Sequence, residues 1–284
     1  MKLFSFIKNT CLLVMAAFTL FACSSDDNAN SNSTDDFLNQ MKLVQTITNE
    51  AHSIKIYTKS GVILTGYNNI YLQIQNADGT FVEDAQINWM PMMYMTAHAH
   101  SSPKSAVVKA EGSKNTYGGF IVFQMASHAS EYWELTLNYT INGQAFSATD
   151  VIQVNQAPNR NVQSFKGTDG VNYVVAMVEP TEPKVAVNNM SAVLYKMDMH
   201  DYSLVTNYTI AIDPRMPGMG NHSSPNNQNL TPGFGSFYYG KLSLTMTGYW
   251  TINLQVLNEL QEVIKGEAIT PTNTASSIYF DLEF

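Results

Sequence analysis

An all-β fold of two tandem sandwich domains is predicted by three features of the sequence. Short alternating strands bounded by turn residues fill most of the chain. Asn142-Gly143, between two such strands, is the strongest short hairpin signal present. A succession of strand and loop motifs recurs after about 120 residues, which marks two copies of one domain rather than a solenoid.

The N-terminus stands apart from that plan. Lys2 and Lys8 precede an apolar run from Cys11 to Ala22, the pattern of a secretory signal too short to be a permanent span. The run ends in Leu20-Phe21-Ala22-Cys23, which resembles a bacterial lipobox, with cleavage before Cys23 and lipid attached to it. Residues 1–22 are thus expected to be a lipoprotein signal peptide. Residues 23–36, mostly Ser, Asp and Asn, are expected to be a flexible tether with little to bury. The Ser24-Ser25-Asp26-Asp27 start resembles signals that send some Bacteroidota lipoproteins to the cell surface. The expected location is therefore the cell envelope, lipid-anchored to the outer membrane, with its periplasmic or external face left open.

Composition narrows the chemistry. With Cys11 removed and Cys23 acylated, no thiol remains for a disulfide, for catalysis or for a thiolate-bound metal. Loss of Lys2 and Lys8 takes the formal charge from −8 to −10, which disfavours nucleic acid as a partner. The sequence lacks a His-Glu-x-x-His motif, a phosphate-binding glycine loop and a convincing Ser-His-Asp order, so an enzyme is not expected.

In the first copy, residues 37–157, strands are predicted at 70–75, 85–89, 119–125, 132–139 and 145–154. Residues 36–52 read as one short helix or an irregular lead-in. In the second copy, residues 158–284, strands are predicted at 190–197, 208–212, 240–246 and 249–254. Gly119 to Met125 corresponds to Gly240 to Met246, and Tyr132-Trp133 to Tyr249-Trp250. The boundary falls near residues 156–170, where Pro158, Asn159 and Gly167 interrupt the apolar pattern.

The candidate site is a pair of Met/His segments in the same order. Met90-Pro-Met-Met93 leads to His98, His100 and Ser101-Ser102-Pro103; Met216-Pro-Gly-Met219 leads to His222 and Ser223-Ser224-Pro225. Thioethers and imidazoles together suit a soft ion, Cu(I) above others, while zinc sites rarely use thioether. The expected ligands are Met90, Met93, His98, His100, Met125 and His128 in the first copy. In the second they are Met216, Met219, His222 and Met246, with Met197, Met199 and His200 as a further group. In an extended strand Met90 and Met92 share one face and Met93 and Met95 the other, and Pro91 favours an edge or a loop. Met125 and Met246 fit core packing as well as coordination. Trp133 and Trp250 read as core aromatics, Met177 and Met190 as structural, and His52 as a surface residue.

Each half resembles the YtkA-like family and, more distantly, the FixH-type domain. The resemblance rests on Asp84-Ala85, Met90-Pro-Met-Met93, His98/His100, Met125 and Tyr132-Trp133. In the second half it rests on Met216-Pro-Gly-Met219, His222, Met246 and Gly248-Tyr-Trp250. It implies immunoglobulin-like sandwiches and association with copper. It implies too that residues 126–131 are an insertion in the first copy. The expected function is a cell-envelope lipoprotein that binds or traffics copper, with a copper-donating or copper-receiving envelope protein as partner. The alternative is a non-catalytic adhesion or assembly module whose Met-rich loops contact another envelope protein.

Overall fold

The computed structural model describes residues 36–199 and 201–284. The expected signal peptide, Cys23, nearly all of the tether, and His200 lie outside the described residues. The fold is all-β, with several sheets. In the first half the strands are β1 (Lys42–Thr48), β2 (His52–Thr58), β3 (Ile63–Leu64), β4 (Gly66–Asn76), β5 (Gln86–Tyr94) and β6 (Ala99–Ser101). They continue with β7 (Val108–Lys109), β8 (Tyr117–Phe123), β9 (Tyr132–Ile141), β10 (Gln144–Ile152) and β11 (Val154–Asn155). The second half contains β12 (Val162–Lys166), β13 (Asn172–Glu179), β14 (Val187–Asp198), β15 (Asp201–Leu204), β16 (Thr209–Met216) and β17 (His222–Ser223). It ends with β18 (Gln228–Pro232), β19 (Tyr238–Ser243), β20 (Tyr249–Leu257), β21 (Val263–Lys265) and β22 (Tyr279–Glu283).

Two sheets of the first half, in the orders β1-β2-β4-β8-β7 and β10-β9-β5-β6, enclose one apolar core. Strand alternation builds it: Trp133, Leu135, Leu137 and Tyr139 of β9 point inward, with their neighbours outward. Asn142 and Gly143 have φ of 50° and 81°, as a type I′ turn needs, and join β9 to β10 where the sequence predicts the hairpin. The second half is one long sheet in the order β12-β13-β14-β19-β18-β16-β20-β21, with β15, β17 and β22 attached. Asp281 N–H donates to Arg160 C=O (2.9 Å) and Tyr279 N–H to Gln163 Oε1 (2.6 Å). These bonds bring β22 alongside β12, so the sheet nearly closes into a barrel around a second core.

A third apolar cluster joins the halves. Tyr67, Phe120 and Val122 of the first half meet Val174, Ala176, Val193, Tyr195 and Phe237 of the second. Rings Tyr67 and Phe120 are 4.8 Å apart, and Phe237 lies 5.7 Å from Phe120. This contact explains two unbroken apolar runs. In β13, Tyr173, Val175 and Met177 face the second core while Val174 and Ala176 face the third. In β14, Ala192 and Leu194 face the second core and Val193 and Tyr195 the third. Strands covered on both faces lose the alternation of half-exposed ones. The described residues accordingly group as one compact unit.

Two expectations change. Within the expected 36–52 lead-in, Asp36–Gln40 forms a 3-10 turn and most of the remainder is strand. The β-branched alternation of Lys42 to Thr48 favours pairing with β2. His52 is half-buried rather than free at the surface: it packs edge-on against Tyr139 and Phe146. The Tyr139 hydroxyl accepts from Asn49 Nδ2 (2.8 Å), leaving its own proton for His52 Nδ1 at 3.0 Å.

Burial holds the His52 pKa below its usual 6.5. The unfolded imidazole therefore takes up its proton at higher pH than the folded one. The contribution of His52 is complete above 6.5 and is lost as pH falls through 6.5 toward the folded pKa. Melting temperatures at pH 7.5 and 5.5 check this: His52→Gln should show a smaller acid-side loss than the wild type.

Candidate functional site

The two Met/His segments have matching strand partners, but in a register that differs from the reading of the sequence. Pro91 sits opposite Leu135 and Met93 opposite Trp133; Pro214 sits opposite Ile252, two residues beyond Trp250. Met93 pairs with His100, and Met216 with His222. The equivalent segments are thus Pro91-Met92-Met93 and Pro214-Arg215-Met216. The two Met-Pro dipeptides at 90–91 and 216–217 are offset by three positions. Met90 corresponds to Asp213, and Met219 ends a 3-10 turn (Pro217–Met219) between β16 and β17.

The recurring residues have packing roles. Trp133 Nε1–H donates to Met125 C=O (2.9 Å), and Trp250 Nε1–H donates to Met246 C=O (3.0 Å). His100 lies edge-on to Trp133 at 5.5 Å, and the His222 ring is 6.4 Å from Trp250. Ser102 Oγ donates to the Val122 carbonyl, and Ser224 Oγ bonds Ser243 Oγ at 3.0 Å. Both hydroxyls are buried, and each ties its hairpin to the neighbouring strand. A buried indole N–H and buried hydroxyls need partners, so the fold supplies a physical reason for the repeated motif.

The copper reading is overturned. Among the described residues no group of three or more His, Cys, Asp or Glu side chains is placed to hold a metal ion. The expected second set is dispersed: Met216 is sealed in the second core, whereas Met219 and His222 are exposed. Met216 Cε lies 3.2 Å from where a Cβ on Gly248 would stand, so the thioether packs against backbone. His222 Nε2 has Thr245 Oγ1 at 3.5 Å, and Met246 packs half-buried on the second core. In the first set, Met93 is fully buried, Met90 lies outward on β5, and His128 is exposed in a turn bonded to Glu131. Pro91 does lie on a strand edge, since β6 covers β5 only at Met92 to Tyr94.

The structure instead brings part of both copies to one cavity of about 620 Å³ between the halves. The β5–β6 hairpin supplies Met92, Met95, His98, Ala99, His100 and Ser101, and the end of β8 supplies Gln124 and Met125. From the second half come Ser164 of β12, Met197 and Met199 at the tip of β14, and Tyr202 of β15. This volume is in the range of pockets for organic ligands and far exceeds a single ion. Two contacts fix the walls: Lys104 Nζ to Asp201 Oδ1 at 3.1 Å, and Gln124 Nε2–H to the Tyr202 hydroxyl at 2.9 Å.

Partial burial works against the Asp201 carboxylate, but the Tyr202 N–H and Lys104 outweigh it and hold its pKa below the ordinary value. Burial pushes the Tyr202 hydroxyl up, so it stays neutral. His100 Nδ1 lies 2.7 Å from the Ser101 carbonyl, which only accepts, so Nδ1 carries the proton.

Of the expected ligands, His98, His100, Met125, Met197 and Met199 therefore meet, but as cavity lining. Met92, Met95, Gln124, Ser164 and Tyr202 were not expected there. Strand parity identifies Met92 as outward-facing once Trp89 and Met93 are assigned to the core. Ser164 and Tyr202 carry no such local signal, because packing of the halves brings them in.

No family model matches the chain, and no curated protein matches it, so the YtkA-like resemblance gains no support. A solved structure, the crystal structure of the conserved domain protein from Bacillus anthracis, overlaps 83% of each chain at 9% identity with a TM-score of 0.33. At that score the architecture is read from this chain's own sheets.

The two faces of β5 predict unequal costs of truncation. Met93→Ala should destabilise the protein by about 2–5 kcal/mol by leaving a core cavity. Met92→Ala, on the cavity wall, should cost under about 1 kcal/mol. Urea unfolding of the two variants measures the difference, and equal midpoints would contradict the assignment of faces.

Proposed function

We propose that this protein is a non-catalytic binding module of the cell envelope, whose Met-lined cavity receives an apolar segment of another envelope protein. In this reading the two halves, residues 37–157 and 158–284, are immunoglobulin-like sandwiches docked side by side. Lipidated Cys23 and the following tether anchor them to the outer membrane. The observation that carries the proposal is the lining itself: five thioethers from both halves, open to solvent between fixed walls. Methionine is unbranched and polarisable, and Met-rich surfaces accommodate apolar partners of varied shape. Apolar side chains gathered in a concavity, with a few polar groups at its edge, fit recognition better than surface solubility.

A photo-crosslinking residue tests this when placed at Met199, which is 87% exposed on the cavity rim, or at Val263, which is exposed outside it. In the native envelope, Met199 should give a defined adduct with one protein that is absent at Val263. The adduct should disappear when Met92→Asp and Met197→Asp are added. The same adducts from both positions, or adducts indifferent to the two aspartates, would overturn the proposal.

A further inference from the structure

We infer that the cavity is an oxidation-sensitive modification site. Hydrogen peroxide converts Met92, Met95, Met125, Met197 and Met199 to sulfoxides, and the polar lining then rejects its apolar occupant. The inference rests on the cavity being the binding surface and adds its regulation.

The fold divides the methionines into classes. Met93, Met177, Met190 and Met216 are 0%, 8%, 1% and 5% exposed, enclosed among core side chains. The five cavity methionines line a space open to solvent, Met95 and Met125 with one side packed on the first core, and small oxidants enter a cavity of about 620 Å³ freely. Met90 and Met219 are exposed at 45% and 56% but lie away from the cavity. They supply an internal control, being reactive without being part of the binding surface.

In the reaction the thioether sulfur attacks one peroxide oxygen. An S–O bond forms as the O–O bond breaks, and sulfur gives up two electrons. The peroxide is reduced and departs as water once the proton of the transferred oxygen reaches the leaving hydroxide. The product is polar, with an oxygen that accepts hydrogen bonds, and sulfoxide reductases specific for its two epimers reverse the change. The two halves are held by the third core and the Lys104–Asp201 and Gln124–Tyr202 contacts, none of which uses a methionine. Oxidation therefore changes the lining and leaves the docking intact.

The experiment treats the purified protein with hydrogen peroxide, maps sulfoxides by peptide mass spectrometry, and titrates 1-anilinonaphthalene-8-sulfonate as an apolar probe. Sulfoxides are expected at the five cavity positions and at Met90 and Met219, with Met93, Met190 and Met216 unmodified. Probe affinity should fall by about tenfold or more, since an apolar ligand leaves the new oxygens unpaired. The protein should stay folded, with its far-UV circular dichroism unchanged, and the two reductases should restore affinity. Replacing all five cavity methionines by leucine should bring the ratio of affinities before and after peroxide to one, whatever the starting affinity. Replacing Met90 and Met219 by leucine should leave the loss in place. Core methionines oxidising as fast as cavity ones, or undiminished probe binding after full cavity oxidation, would overturn the inference while leaving the binding proposal standing. No probe binding by the untreated protein would overturn the binding proposal and the rejection step, with the mapping still deciding the modification.

Discussion

The apolar contact between the halves is the constraint on which the rest depends. Val122 of β8 and Val174, Ala176, Val193 and Tyr195 of β13 and β14 are buried on faces that neither half encloses by itself. Separated, those faces would return several large apolar side chains to water, at about 1.5–3 kcal/mol for each Val or larger residue. Burial raises the pKa of the Tyr67 and Tyr195 hydroxyls, and both remain neutral at any physiological pH. The connecting segment is held as well. β11 pairs in parallel with β3, Ala157 N–H donates to Thr65 Oγ1 (3.0 Å), and Met177 N–H donates to Asn161 C=O (2.8 Å). A cavity whose walls come from two halves keeps its shape only if the halves do not swing, and these contacts prevent it.

Much of the strand plan was legible because it rests on local chemistry. Asn142-Gly143 dictates a hairpin through two positive φ values, and β9 and β20 carry matched Tyr-Trp starts and alternating apolar residues. The first two strands were not recovered. Lys42 to Thr48 and His52 to Thr58 carry β-branched residues in partial alternation, a strand signal that was masked by reading residues 36–52 as one lead-in beside the 3-10 turn. The unbroken apolar runs Tyr173–Met177 and Ala192–Tyr195 held a stronger signal. Continuous burial in a strand requires cover on both faces, so these runs could have announced the docking of the halves.

The misread repeat has a specific cause. Met-Pro occurs in both copies, and sequence similarity pairs the dipeptides, whereas backbone pairing matches Pro91 with Pro214. A strand register is set by which residue faces the core indole, and Met93 and Met216 take that place beside Trp133 and Trp250. The methionines that looked most like ligands were therefore core residues in two of four cases. The His-Ser-Ser-Pro match survives because its second serine makes an equivalent buried bond in both copies.

What distinguishes the cavity from the cores is the combination of fixed backbone and soft side chains. The cores fill their inward positions chiefly with Ile, Leu, Val and aromatic residues, whose rotamers are well defined. The cavity presents five methionines, each with three rotatable bonds beyond the backbone. Ordering such side chains around a ligand costs entropy, about 1.5–2 kcal/mol for a fully fixed methionine. A site selected for one rigid small molecule would gain from branched residues already in place. The observed lining suits an occupant whose contour varies or shifts along the groove, with adaptation confined to side chains while the third core holds both walls still.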